Sequence, residues 1–191
     1  MKYPLLLTIA LALPAQFALA QASTWTSDPA HSGVDFKITH MTISTVHGHF
    51  SRVNATIVYD DADPTKSSVN ATIDVTTLDT GESARDSEIK GAQWFDIATY
   101  STATFTSTSV VKTGDHLTVN GNLTLHGVTK PVVLQVDGPT GPVTGMDHKP
   151  HAGFTATTTI KRTDFGIGSR FPAAMAGDEI PLEIDLEVVK Q

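Results

Sequence analysis

Alternation of apolar and polar residues governs this chain. Val34, Phe36 and Ile38 interleave with Asp35, Lys37 and Thr39, and the same period runs through Val53, Ala55, Ile57 and Tyr59 and through Val69, Ala71, Ile73 and Val75. It returns at Ala103 and Phe105, at Leu117, Val119, Leu123 and Leu125, and at Val132, Leu134 and Val136. Phe154, Ala156 and Ile160, then Ile180, Leu182, Ile184, Leu186 and Val188, complete the set. Period two is the spacing of side chains on one face of a β-strand. The eight segments therefore predict eight antiparallel strands, each with a dry face and a wet one. Turn-forming runs such as Asp60–Pro64, Lys112–Asp115 and His126–Gly127 separate them.

Eight strands in an open sheet would leave two long edges and a bare apolar face. Closure into a barrel removes both. A barrel of this strand number is either filled by its own side chains or holds one small ligand. The inward set mixes Ala55, Ala71, Ala103 and Ala156 with Phe36, Phe105 and Phe154, and alternation alone leaves both interiors open. Two regions break the period. Glu82 to Ala92 is rich in helix formers and predicts one short helix, and the Gly/Pro-rich run Gly138 to Pro150 predicts a long loop.

The ends and the charge narrow the setting. Lys2, the apolar run Leu5 to Leu13 and the small-x-small Ala18-Leu19-Ala20 form a secretory leader. Residues 1–20 are thus expected to be a signal peptide, cut after Ala20 or Ala22, leaving one domain over 21–191 in the periplasm. The net charge is −7 for the whole chain, which speaks against nucleic acid or an anionic membrane surface as partner, since both need basic patches. There are no cysteines, so thiol chemistry and disulfides are excluded.

Few residues suggest catalysis. His47 and His49 stand two apart, with His40 or His31 as a third metal ligand, and a metal-dependent enzyme built on His40, His47 and His49 is the alternative reading. No HExxH or GxSxG motif accompanies them. The simpler expectation is that His47 and His49 are solvent-facing residues flanking a bend at Gly48. Arg85, Asp86 and Glu88 read as an ion pair or helix cap rather than an acid/base group.

Several short motifs recur together in register. Asp28-Pro29-Ala30-His31-Ser32 precedes the first alternating strand, and His40 and Gly48-x-Phe50 follow it. Thr80-Gly81 and Arg85-Asp86 lead to Trp94-Phe95-Asp96. Asn120 to Pro131 reads NGNLTLHGVTKP, and Arg162-Thr163-Asp164-Phe165-Gly166-Ile167 closes the series. Across nearly the whole mature chain this pattern resembles the YceI family of exported polyisoprenoid-binding proteins, which have a lipocalin-like barrel. Trp94 in place of a more usual Phe, Ser101 in place of Pro, and Glu88-Ile89 in place of His-Leu depart from it.

The resemblance implies an all-β, eight-stranded antiparallel barrel with one short helix and an apolar lumen. It implies a carrier of a polyisoprenoid or quinone-type lipid, not an enzyme, with no cofactor or metal beyond that ligand. The lumen is expected to be lined by Val34, Phe36, Ile38, Phe50, Val53, Ile57, Ile73, Phe105, Leu123, Leu134, Phe154 and Ile160. Candidates to meet a head group at its mouth are His40, Arg85, Asp86, Trp94 and Arg162, the alternative for each being to tie the helix and loops to the barrel. A membrane b-type cytochrome system is a partner that a quinone ligand would suit, and a homodimer is a further expectation.

Overall fold

A computed structural model describes residues 22–191; the expected signal peptide lies outside that range. The strands are β1 (Ser23–Ser27), β2 (Gly33–His40), β3 (Ser44–Phe50), β4 (Val53–Tyr59), β5 (Ser68–Asp74) and β6 (Leu78–Asp79), then β7 (Thr102–Thr113), β8 (His116–Leu125), β9 (Val128–Thr144), β10 (Pro150–Lys161) and β11 (Glu179–Lys190). One α-helix, α1 (Ser83–Ile89), follows β6.

These segments close into an eight-stranded antiparallel barrel. The ring runs β1-β4-β5-β7-β8-β9-β10-β11, and β11 pairs back with β1. The remaining strands extend the ring lengthwise. β1 pairs with residues 188–190 of β11 and β2 with residues 182–185, so the two are one line broken at Asp28–Ser32. β3 and β4 form a second broken line beside it, and β6 continues along β3 where β5 leaves off. Two of the breaks fall at turn chemistry. Asp28 accepts the Ala30 amide at one, and Asp74 caps a 3-10 turn over Val75–Thr77 at another.

All eight alternating segments lie in strands with their apolar residues facing inward, except that Val75, buried, falls just past β5 in the 3-10 turn. The strand set is nonetheless larger than the alternation predicts. β1 reads STWTS and β3 reads STVHGHF, and their polar alternate positions hide the pattern.

The expected loop over Gly138–Pro150 is mostly strand. β9 continues to Thr144, β10 begins at Pro150, and register shifts against β10 flank Gly153. Gly138 has φ 125°, and a Cβ there would lie 2.7 Å from the carbonyl oxygen of Gly153. Glycine marks bulges here rather than loss of pairing.

The core has two parts. A large cluster includes Val34, Phe36, Phe50, Val53, Phe105, Leu123 and Ile160. A smaller one of Trp25, Ile57, Ala152 and Val188 fills the barrel near the β9–β10 hairpin.

Candidate functional site

The barrel encloses a cavity of about 410 Å³. Its wall is almost wholly aliphatic and aromatic, and all twelve expected lumen residues line it. Two glycines explain why bulky inward residues leave this space. Gly48 faces Phe36 across the β2–β3 ladder, and Gly121 lies beside Phe105 on the neighbouring strand. A Cβ at either glycine would sit 2.1 Å or 2.3 Å from the Cζ of its phenylalanine, inside van der Waals contact. Each ring thus lies flat on a bare stretch of backbone. Gly48 is not the expected bend; it sits mid-strand and makes room for Phe36.

The cavity has a floor and a mouth. Trp25, Ala152 and Val188 do not line it; they occupy the barrel beyond Ile57, Tyr59 and Phe154. At the opposite end the lining residues Thr39, His40, Glu88 and Met175 are themselves exposed. Most of the polar wall gathers there too, with Thr80, Arg85, Thr158 and Arg162. Helix α1, the Gly91–Tyr100 turns and the loop over 166–178 surround this opening.

The head-group candidates separate under the geometry. Arg162 is 3% exposed, and its five N–H donors reach the carbonyls of Gly177, Ile167, Gly168, Phe171 and Ala176 at 2.6–3.0 Å. Burial lowers its pKa from the ordinary arginine value. It holds the 166–178 loop and has no donor left for a ligand, which corrects its candidacy as a head-group contact in favour of the alternative, a tie between loop and barrel. Asp86 does not line the cavity. Its Oδ1 accepts the Thr80 amide at 2.9 Å and hydroxyl at 2.6 Å, anchoring α1.

Arg85 lines the cavity and spends Nε and Nη2 on Thr80, both at 2.7 Å. His40 lines the mouth and is exposed. Trp94 sits in a slot. It stacks on Phe171 at 4.7 Å between centroids, Gly168 lies against its other ring atoms, and Arg162 lies 5.6 Å from its ring. Its indole Nε1 is buried without a hydrogen-bond partner. A buried orphan donor is costly and rare, and nothing in the spacing of Trp94 signals it.

The three histidines of the metal alternative do not converge. His47 and His49 alternate with the inward Val46, Gly48 and Phe50 and so face outward, whereas His40 borders the lumen. His49 pairs with Asp35 at 3.2 Å.

Among the described residues, Asp28, His31 and Glu187 bring potential ligand atoms together. His31 Nδ1 lies 2.9 Å from Asp28, and His151 bridges Glu187 and Asp147 at 2.7 and 2.9 Å. These pairs tie the β1–β2 break and the β10 start to β11. Their effect shows in the protonation of the imidazoles. The bond to Asp28 raises the pKa of His31, and the bond to Asp147, followed by that to Glu187, raises that of His151.

A closed barrel with a floored, apolar interior and a polar mouth defines the class: a β-barrel built around an internal binding cavity. Residues 25–188 match the model of the YceI-like domain, and the chain belongs to the YceI family. It is 38% identical over 165 residues to Protein YceI of Salmonella newport, covering 84% of this chain and 83% of that protein. Burkholderia cenocepacia BcnA superposes with a TM-score of 0.75 at 27% identity, covering 84% of this chain and 98% of BcnA. The polyisoprenoid binding domain from Saccharophagus degradans shares the fold, with a TM-score of 0.65 at 19% identity over 87% of this chain and 98% of that one.

Proposed function

We propose that the protein is a periplasmic carrier of a long-chain apolar lipid, a polyisoprenoid or isoprenoid quinone, with the tail in the lumen and the head group at the mouth. The carrying observation is the floored apolar cavity kept open by the Phe36–Gly48 and Phe105–Gly121 contacts. Its volume falls in the usual range for small-molecule sites, roughly 300–1,000 Å³. Each methylene moved from water into such a wall contributes about 0.8 kcal/mol, so a long tail supplies affinity without polar contacts. The polyisoprenoid-binding neighbour, with the same barrel, supports the lipid class.

At the mouth, the Trp94 indole N–H is the donor that a carbonyl or hydroxyl head group would satisfy, with Arg85 and His40 beside the opening. No step in this reading makes or breaks a bond, so the protein binds and releases.

The test is organic extraction of the purified mature protein, mass spectrometry of the extract and metal analysis of the same sample. A stoichiometric long-chain lipid is expected. A metal retained at one per chain and lost in His47→Ala/His49→Ala, with no lipid, would sink the proposal.

A further inference from the structure

The surface around the mouth differs from the rest of the barrel. The β2–β3 hairpin closes with a turn in which the Ile43 amide donates to the His40 carbonyl at 3.1 Å. Both central residues, Met41 and Thr42, have positive φ, 50° and 63°. That geometry favours Asn-Gly. Here it is occupied by a methionine that is 53% exposed, followed by Ile43 at 82% exposed. The tip is pinned rather than loose, because the Met41 amide donates to Met175 O and the Gly177 amide to Thr39 O. Met175, also exposed, completes an apolar rim on two adjoining segments at the cavity opening.

The charge around this rim is as uneven as its hydropathy. In a chain with net charge −7, no Asp or Glu occurs between Asp35 and Asp60, or between Asp164 and Asp178. The first stretch places Lys37 beside His47 on the outer face of the hairpin, and the second carries Arg170 over the Phe171 ring. None of these three has a carboxylate partner among the described residues. Helix α1 on the other side of the mouth is of mixed charge, with Arg85, Asp86 and Glu88.

We infer that the open end of the barrel docks on a phospholipid bilayer bearing anionic head groups, with Met41 and Ile43 entering the acyl boundary. Two or three exposed apolar side chains flanked by cations give weak, reversible and salt-sensitive attachment. The overall negative charge then keeps the remaining surface off the membrane. This rests on the carrier reading above. It adds where the cargo enters: directly from the leaflet, through the mouth and without crossing bulk water.

The experiment is co-sedimentation of the mature protein with sucrose-loaded vesicles of phosphatidylcholine containing a quarter phosphatidylglycerol, at low and high salt. It compares Met41→Asn/Ile43→Glu with Val143→Glu/Met146→Glu, which alters the exposed apolar residues of the β9–β10 hairpin. Asn suits the positive φ of residue 41, and Ile43 touches no cavity wall, so folding and lumen are preserved. Urea midpoints and titration with a fluorescent apolar probe verify both on the same samples.

The mouth variant is expected to lower vesicle partitioning about tenfold, and the far-end variant to leave it unchanged. Vesicle binding that is absent in the wild type, equal in the two variants, or lost only in the far-end variant overturns the inference. So does concentration-dependent self-association that the mouth variant abolishes in the absence of vesicle binding. Probe uptake without vesicle binding would remove docking alone. Vesicle binding without probe uptake or extractable lipid would remove the carrier reading alone.

Discussion

The ring of Phe36 lies against the bare backbone of Gly48, its partner across the β2–β3 ladder, so closely that a methyl group there would stand 2.1 Å from Cζ. Gly48→Ala must therefore push the ring off the wall and into the lumen. Overpacking of this kind costs about 1–3 kcal/mol. The expected result is a lower urea midpoint together with weaker uptake of an apolar fluorescent probe. Phe36→Leu in the Gly48→Ala background should restore uptake.

Trp94 carries a buried N–H with no partner. Trp94→Phe keeps the stack on Phe171 and removes the orphan, so stability should hold or rise. A hydrogen bond to a head group contributes about 0.5–1.5 kcal/mol net, roughly a two- to twelvefold effect on affinity. Titration with a prenyl quinone should show that loss, while a hydrocarbon of matching length should bind both proteins equally.

Arg162 is a structural residue at the mouth. Arg162→Lys cannot reproduce five bonds in a planar fork, and it leaves several carbonyls of the 166–178 loop without a donor. Each buried unsatisfied group costs about 1–3 kcal/mol. A large fall in the urea midpoint is expected, with faster amide exchange concentrated in that loop. An unchanged midpoint would contradict the assignment.

The carboxylate–imidazole pairs gathered around Glu187 of β11 give stability a pH dependence. Hydrogen bonds to Asp147 and Glu187 raise the His151 pKa, and that to Asp28, with Glu187 nearby, raises that of His31. The folded state thus binds these protons more tightly than the unfolded chain. Their contribution is complete below about pH 6.5, the unfolded value, and is lost as pH rises through the raised folded values. Asp28 and Asp147 act in the opposite direction. The His31 bond lowers the pKa of Asp28, and the Lys149 amide, then His151, lowers that of Asp147. Their contribution is present above about pH 3.9 and disappears as pH falls through the lowered values. Urea midpoints across this range should peak on the mildly acidic side, and His31→Gln/His151→Gln should flatten the alkaline limb.

The barrel was legible because alternation records burial directly. Every segment from Val34–Ile38 to Ile180–Val188 forms a strand, Val75 alone falling in the turn after β5, and the twelve residues expected inside line one cavity. The apolar face shows in sequence, but what decides whether it encloses space does not. Gly48 pairs with Phe36 across one ladder, and Gly121 pairs with Ser107 and so lies diagonal to Phe105, relationships set by register. The Gly138–Thr144 strand was hidden because bulge glycines and loop glycines look alike in one dimension. For Arg162 the sequence leaves head-group contact and loop tie both open, and only the closure of the 166–178 loop shows that its donors are consumed. The orphan nitrogen of Trp94 is likewise a property of packing.

The Trp25–Val188 cluster that fills the far end of the barrel makes the lumen a ruler. A tube open at both ends would accept a tail of any length and let it thread through. On the proposed carrier reading, one with a floor would count isoprene units: each added unit would deepen the fit until the tail touched Tyr59 and Phe154, and further units would hold the head group outside the reach of Trp94. A lipid carried in this way would enter tail first and leave head first, in the reverse of the order in which it arrived. Selection by chain length then belongs to residues at the opposite end of the molecule from those that meet the head group.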